Sequence, residues 1–283
     1  MADLAVFERL LAQDEAAIDL ARACLLVAED AYPGLDVEGY LGEIERLAGR
    51  LRSRLEADLA PEERVLALNE FLFDDLGFAG NTEDYYDPRN SYLNEVLDRR
   101  TGIPITLSVL YMEVGRRVGL ALEGVSFPGH FLVRMPLRGG TLVLDPFSGG
   151  EPQSADDLRE RLRRVIPPGA SGGLAPAELP LEPFLEPAGK RQILARLLRN
   201  LKGIYLERNR PERLLEVLDR MLIVSPDAVT ELRDRGLVYQ QLECWGAALK
   251  DLAEYLRRAP EAADADDIRA RTLELARRSA RVS

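Results

Sequence analysis

Apolar residues recur at three- and four-residue steps through the first 76 positions, which predicts an all-helical lead-in. Three runs carry this spacing: Leu4 to Asp30, Val37 to Leu59, and a third that begins at Pro61. Proline suits a first helical turn, because no backbone N–H is needed there. The third run ends at Gly77. A loop rich in Gly, Asn and Asp follows it as far as Asn90. The loop is expected to be an ordered surface loop held by Tyr85 and Tyr86, with a loop that overhangs a cleft and contacts a ligand as the alternative.

A fourth apolar stripe runs from Gly102 to Val118 and predicts one helix. Pro104 fits its first turn, and Gly119 can take the left-handed conformation that ends a helix. Beyond this helix the pattern changes to alternation, which predicts two strands, Val125 to Met135 and Thr141 to Asp145, joined by a turn rich in Gly and Pro. The chain therefore turns from helices to a small antiparallel sheet.

The register of this hairpin is predicted from the rule that one face of a strand pair should be apolar. That rule favours the pairs Val133 with Leu142 and Phe131 with Leu144. The same register places His130, the single histidine of the chain, opposite Asp145. Opposed residues lie about 4.5–5.5 Å apart at Cβ, so we predict that the imidazole donates a hydrogen bond to the carboxylate.

The composition changes between residues 167 and 187, where prolines, glycines and small residues indicate a linker. Four apolar side chains in its second half are too hydrophobic for a free tether: Leu179, Leu181, Phe184 and Leu185. Part of the linker is therefore expected to lie across the preceding domain.

A repeat with a period of 34 residues follows the linker. The matched pairs are Tyr205 and Tyr239, Leu215 and Leu249, Leu218 and Leu252, Leu222 and Leu256, and Pro226 and Pro260. A helix pair per unit with this period resembles the tetratricopeptide repeat. Two roles remain open for so short a stack: it binds a protein or peptide as partner, or it docks on the first domain and protects the core of that domain. Residues Ile268 to Arg278 are predicted to form the capping helix.

The charge balance narrows the possible partners. The chain has 283 residues and a formal net charge of −11, which argues against nucleic acid as partner because a phosphate backbone needs a basic face. Arg161, Arg163 and Arg164 are interpreted as a solvated helix face. The start of the sequence resembles no secretory leader and no run is long enough for a membrane span, so the prediction is a cytoplasmic protein without a membrane partner.

The two cysteines suggest no redox or metal chemistry. Cys24 lies in a strongly apolar helical run and is predicted to be a buried, inert core residue. Cys244 precedes Trp245 and is expected to have a packing role. Their spacing fits neither a disulfide scaffold nor a zinc site, and the acidic loop residues lack a calcium-binding pattern, so no metal and no cofactor are predicted.

Four segments resemble the bacterial SirB-type transglutaminase-like family, and with the repeats the likeness covers nearly the whole chain. They are Asp87 to Leu97, Arg100 to Leu107, Pro128 to Arg134, and Leu144 to Gly150. The expected fold class is α+β, a mostly helical transglutaminase-like domain with a small antiparallel sheet followed by an all-α tetratricopeptide-like repeat domain. The expected limits are 1–166 for the first domain (lead-in 1–76, core 77–166), 167–187 for the linker and 188–283 for the repeats.

The resemblance implies a thiol site in which a cysteine at the start of the helix acts as nucleophile beside a histidine and an aspartate. His130 and Asp145 match the histidine and the aspartate. The place of the nucleophile falls near Pro104 or Ile105, where the sequence has no cysteine. The nearest hydroxyls belong to Thr106 and Ser108, and hydroxyls need a stronger base than thiols do.

Three interpretations follow. The His130–Asp145 pair is a buried structural contact, or it belongs to a vestigial cleft that binds a protein or peptide, or it serves an acyl-transfer or peptidase-type enzyme that uses Thr106 or Ser108 as nucleophile. The function predicted from the sequence is a non-catalytic transglutaminase-like interaction protein, with the hydroxyl enzyme as the alternative.

Overall fold

The computed structural model describes residues 4–165 and 180–282. They form two compact units, Asp14–Leu197 and a second composed of Met1–Gln13 with Leu198–Ser283. We call the first the site unit and the second the repeat unit. The predicted limits of 1–166, 167–187 and 188–283 stay a prediction. In the described part of the chain, no helix combines the length and the apolar character needed to cross a membrane.

The site unit is mostly helical, as predicted. Its α-helices are α2 (Leu20–Ala28), α3 (Val37–Arg52), α4 (Pro61–Asn69), α5 (Leu93–Arg99), α6 (Pro104–Arg117) and α7 (Ala155–Val165), while α8 (Lys190–Glu207) contains the boundary between the units. Its strands are β1 (Ala79–Gly80), β2 (Thr101–Gly102), β3 (Glu123–Val125), β4 (Leu132–Leu137), β5 (Gly140–Asp145) and β6 (Glu151–Pro152). The α+β class is confirmed.

Helix α6 lies at the centre of the site unit. Every residue from Pro104 to Gly115 is buried, including Thr106 and Ser108, so the helix is covered on all sides and does not show one wet face. The Tyr111 hydroxyl donates to Asn69 Oδ1 at 2.8 Å, which satisfies a phenol placed deep in the core. A helix fixed on all sides is a rigid base for the residues at its start.

The sheet differs from the predicted hairpin in two ways. The strand predicted over Val125 to Met135 is interrupted, because a turn at residues 128–130 separates β3 from β4. The strands follow the order β3-β4-β5-β6, all antiparallel. The register of β4 and β5 pairs Val133 with Leu144 and Met135 with Leu142, so the predicted register is wrong by two residues.

The lead-in helices also differ from their predicted extents. The run from Leu4 to Asp30 is broken into α1 (Leu4–Leu11), a short 3-10 turn at Glu15–Ala17, and α2. Asp19 caps α2, since its carboxylate accepts from the Arg22 N–H at 3.0 Å. Helix α3 ends at Arg52, seven residues before the predicted end. Helix α4 continues as a π-helical turn over Glu70–Asp75.

The described part of the linker lies against the sheet. Leu181 joins a buried cluster that includes Val125 and Phe127, and Phe184 and Leu185 pack against the same cluster. The rings of Phe127 and Phe184 meet edge to face with centroids 6.3 Å apart. These contacts confirm that this part of the linker lies across the preceding domain, while residues 167–179, Leu179 among them, lie outside the described residues.

The repeat unit contains α1, the end of α8, and four further helices: α9 (Pro211–Val224), α10 (Val229–Gln241), α11 (Trp245–Arg258) and α12 (Ala265–Val282). Leu218 and Leu252, a pair predicted from the 34-residue offset, are both fully buried. Helix α1 packs on α9, where the Arg220 guanidinium carbon lies 4.8 Å from the ring centroid of the fully buried Phe7. The first helix of the chain thus belongs to the core of the repeat unit.

Candidate functional site

A tight turn, and not a strand, presents His130. The His130 N–H donates to the Phe127 carbonyl at 3.1 Å, with Pro128 and Gly129 as the two central residues. Gly129 has φ +68°, and proline followed by glycine at these positions is typical of a type II turn. A Cβ at Gly129 would also lie 2.7 Å from Val165 Cγ2, so only glycine fits here. The Pro-Gly pair was the sequence signal for this turn.

The predicted contact between His130 and Asp145 is present. His130 Nε2 donates to Asp145 Oδ1 at 2.9 Å, although the two residues are not opposed in the sheet. The His130 side chain is 13% exposed and that of Asp145 is fully buried. A proton on Nε2 leaves Nδ1 as the nitrogen able to accept from another group.

Asp145 accepts from four donors, two at each oxygen. Oδ1 also accepts from the Phe147 N–H at 3.1 Å, and Oδ2 accepts from Ser148 Oγ at 3.1 Å and from Arg161 Nη2 at 2.6 Å. The carboxylate thus joins the His130 turn, the 3-10 turn Pro146–Ser148 and helix α7. Its acceptor sites are filled by the protein itself.

The charge of Asp145 is compensated within the protein. Burial by itself raises the pKa of this carboxyl, but the hydrogen bond and charge of His130, the charge of Arg161 and the hydrogen bond from Ser148 outweigh it and hold the pKa below its usual value. Arg161 therefore competes with His130 for the same negative charge.

The contact of Arg161 with Asp145 was not predicted from the sequence. This arginine was interpreted with Arg163 and Arg164 as part of a solvated helix face, which is wrong for Arg161, whereas the other two pair with Glu160 on the surface of α7. One signal was present. Arg161 follows the buried Leu158 by three residues, which places it at the edge of the buried face of α7.

The start of α6 holds the two candidate hydroxyls, and neither is hydrogen-bonded to His130. Thr106 Oγ1 donates to the Asn90 carbonyl at 2.7 Å and accepts from the Ile103 N–H at 3.1 Å, so it closes the first turn of the helix. Ser108 is fully buried, and its Oγ has no hydrogen-bond partner among the described residues. Thr106 and Ser108 are two positions apart in the helix, which is about 200° around its axis, so these hydroxyls point in nearly opposite directions.

The loop between Gly77 and Asn90 carries aromatic rings to the His130 site. The Phe147 ring lies edge to face with His130 at 5.9 Å and with Tyr85 at 6.1 Å, and Tyr85 contacts Tyr86 at 5.3 Å. Tyr85 and Tyr86 are 39% and 63% exposed. Asn90 anchors the loop, since its Nδ2 donates to the Asp84 carbonyl at 2.8 Å. The site thus has an exposed aromatic edge, which we call the tyrosine edge (Tyr85 and Tyr86).

The two cysteines lie in different environments. Cys24 is buried in α2, as predicted, and burial together with the nearby Glu113 charge raises the pKa of its thiol. Cys244 is exposed at the start of α11, so the packing role expected for it is wrong. In the described ranges, no group of three or more His, Cys, Asp or Glu side chains is placed to hold a metal ion.

Comparisons with known proteins match both units. The profile of the transglutaminase-like superfamily matches residues 38–199, and a tetratricopeptide-repeat profile matches residues 201–272. A UPF0162 protein of Xylella fastidiosa is 43% identical over 272 residues, which cover 96% of this chain and 95% of the relative. A UPF0162 protein of Vibrio cholerae is 32% identical over 250 residues, 88% of this chain and 89% of its own.

A relative with a different name matches a somewhat smaller part of the chain. Protein SirB1 of Salmonella typhimurium is 28% identical over 229 residues, 81% of this chain and 82% of its own length. Among solved structures, menin aligns with 97% of this chain and 74% of its own at 11% identity, with a TM-score of 0.43, which is too low to support a structural argument. The sequence relatives therefore carry the comparison.

Proposed function

The chain belongs to the transglutaminase-like superfamily, together with the UPF0162 and SirB1 proteins, and we propose that it is a degenerate member without acyl-transfer activity that serves as a protein- or peptide-interaction module. The observation that carries this proposal is the start of α6, where residues 100–108 include no thiol. His130 and Asp145 keep a histidine–aspartate contact, but no hydroxyl or thiol of the described residues is hydrogen-bonded to His130. A cytoplasmic location belongs to the same proposal.

The hydrogen bonds around the two hydroxyls support the non-catalytic half of the proposal. A hydroxyl becomes a nucleophile when an adjacent base takes its proton, and the base must lie within hydrogen-bond reach. The Thr106 hydroxyl already donates to the Asn90 carbonyl, and breaking that bond would leave a buried acceptor unsatisfied. Ser108 has the opposite difficulty, because no partner is near enough to take its proton.

Two features support the interaction half. The tetratricopeptide match covers residues 201–272, and repeats of this type present grooves that suit peptides. The tyrosine edge adds exposed rings beside the His130 site, and tyrosines are enriched where proteins bind one another because each supplies apolar area and a hydroxyl. Both features are compatible with a partner that is a protein or a peptide.

Acyl-transfer and peptide-hydrolysis assays test the proposal directly. The unmodified protein is expected to give no turnover with glutamine-containing peptides and an amine acceptor. The matched variant Ile105→Cys restores a thiol at the second position of α6, where the helix dipole lowers a thiol pKa. Because Ile105 is buried, the test compares two variants with the same thiol: we expect Ile105→Cys to alkylate faster than Ile105→Cys with His130→Ala.

The alternative, an enzyme with a hydroxyl nucleophile, predicts a different result in these assays. Turnover by the unmodified protein that disappears in Thr106→Ala or in Ser108→Ala would refute the proposal and establish the hydroxyl nucleophile. Equal alkylation rates of Ile105→Cys with and without His130 would instead mean that the histidine–aspartate contact is structural only. Pro104→Cys, one position earlier, repeats the test with the thiol rotated by about 100° around the helix.

A further inference from the structure

The repeat unit has a surface pocket of about 450 Å³ that the interaction role leaves without a stated ligand. It is formed by the end of α10, the start of α11 and one face of α12. Its lining residues are Leu237, Gln240, Gln241, Trp245, Arg271 and Arg278. A volume in this range holds one or two side chains of a peptide.

The floor of the pocket is apolar and held in place by the core. Leu237 and Trp245 are both partly buried and pack against the hydrophobic cluster of the repeats, which includes Leu252 and Tyr255. The guanidinium carbon of Arg278 lies 5.3 Å from the ring centroid of Trp245, a cation–π distance. The indole is thus fixed in orientation before any ligand binds, which reduces the entropy lost on binding.

The wall of the pocket is positively charged. Arg271 and Arg278 are seven residues apart, two helical turns, so they share one face of α12. Arg278 already pairs with Glu274, whose Oε1 accepts from its Nε at 3.0 Å. Arg271 lines the pocket without an ion pair or hydrogen bond to any residue that the structure describes. Its charge is therefore available to a ligand.

The pocket offers two recognition elements. Arg271 presents a positive charge that is unpaired among the described residues, and Trp245 and Leu237 present apolar surface. A ligand that matches both elements carries an anionic group beside an apolar one.

We propose that this pocket binds a peptide segment in which an acidic side chain stands next to a large apolar side chain. The carboxylate pairs with the Arg271 guanidinium, and the apolar side chain lies against Trp245 and Leu237. A polyanion such as nucleic acid supplies the charge but not the apolar side chain. The inference rests on the proposed interaction role and specifies its partner chemistry.

Trp245 is the single tryptophan of the chain, so its emission reports on this pocket alone. The full-length protein is titrated with a short peptide that has an Asp-Leu-Asp core and, in parallel, with the same peptide carrying Asn in place of both Asp residues. We expect a saturable change of Trp245 emission with the acidic peptide and binding about tenfold weaker with the amide peptide, since the charge-assisted pair with Arg271 is replaced by a neutral contact.

Two arginine variants provide the matched comparison. Arg271→Ala removes the free charge from the pocket wall and is expected to weaken the acidic peptide by about tenfold. Arg277→Ala removes the same charge from another exposed position of α12 that does not line the pocket, and is expected to bind as the unmodified protein does. Both side chains are exposed, and circular dichroism verifies that each variant is folded.

Equal binding of the acidic and amide peptides would overturn the proposal, as would equal losses in Arg271→Ala and Arg277→Ala, because either result means that Arg271 has no specific role. Binding can also be measured with a labelled peptide. If that binding saturates while Trp245 emission stays unchanged, the peptide binds outside this pocket, which overturns the pocket proposal but not the proposed interaction role. Acyl-transfer turnover by the protein would refute the degenerate site without bearing on this pocket.

Discussion

Asp145→Asn should destabilise the site unit far more than a single polar substitution usually does. Each Asp145 oxygen accepts from two donors, so an amide placed on either side turns one acceptor into a donor that faces two other donors. Whichever way the amide is oriented, a hydrogen bond from His130 or from Arg161 is lost. Removing one partner of a buried ion pair typically costs about 3–5 kcal/mol, and the partial exposure of Arg161 places the expected value near the lower end.

The assay is urea unfolding followed by far-UV circular dichroism, because Trp245 emission follows only the repeat unit. Asp156→Asn is the matched control: it makes the same substitution on α7 at a side chain that is 97% exposed, and should change the free energy of unfolding by less than about 0.5 kcal/mol. A loss below about 1 kcal/mol in Asp145→Asn would refute the idea that Asp145 joins the turn, the strand end and α7.

The same variant gives a pH test with a defined sign. The folded pKa of Asp145 is lower than its unfolded value of about 3.9, so its stabilisation is present above that value and is lost as the pH falls through the folded pKa. Asp145→Asn has no carboxyl to titrate. The difference in free energy of unfolding between the two proteins should therefore be constant near neutral pH and narrow below about pH 4.

Further predictions concern the hydroxyls, the thiols and the first helix. Thr106→Val should cost about 1–3 kcal/mol because it leaves the Asn90 carbonyl unpaired, whereas Ser108→Ala should change the free energy of unfolding by less than about 0.5 kcal/mol; equal losses in urea titrations would contradict this. A thiol reagent should label Cys244 quickly and Cys24 only after unfolding, since burial raises the pKa of Cys24; two fast thiols in the native protein would be the contrary result. Phe7→Ala should destabilise the repeat unit by about 3–5 kcal/mol in a Trp245-monitored titration, and an unchanged midpoint would show that α1 is dispensable there.

Sequence periodicity predicted the elements whose signal is local. The helix over Gly102 to Val118 is α6, bounded by Pro104 and Gly119 as expected, because its start and stop signals lie within the segment itself. The 34-residue offset predicted the repeats for the same reason, since each repeat carries its own copy of the pattern. Periodicity does not indicate which distant segment completes a core. Helix α1 was therefore assigned to the lead-in, although it packs in the core of the repeat unit.

The alternation of apolar and polar residues could not predict the strand register, for a definite physical reason. A shift by one residue moves every side chain to the other face, but a shift by two keeps each on its face, so an apolar face selects a register only up to multiples of two. The observed turn is also tighter than expected, with Leu137 paired to Gly140 across Arg138 and Gly139. Gly139 has φ +107°, which such a two-residue turn accommodates.

The contact between His130 and Asp145 was predicted by an argument that was partly wrong. Strand opposition was the stated cause, yet the Pro128-Gly129 turn brings the imidazole to the carboxylate from outside the strand. The outcome was right because Val133, three residues after His130, pairs with Leu144, which leaves His130 near Asp145 at the end of β5. A correct contact is therefore weak support for a proposed register, and the pairing of Val133 with Leu144 had to come from the structure.

The four donors on Asp145 show that a histidine–aspartate contact can have a structural role that is distinct from a catalytic one. In a working triad the carboxylate orients the imidazole and stabilises its charge, and loss of the carboxylate lowers activity before it lowers stability. Here Arg161 and two donors of the 3-10 turn use three of the four acceptor sites, so the carboxylate also connects three parts of the site unit. Such a contact persists for structural reasons whether or not a nucleophile is present. Its geometry alone is not a sign of catalysis, and the free energy of unfolding lost in Asp145→Asn measures its structural contribution.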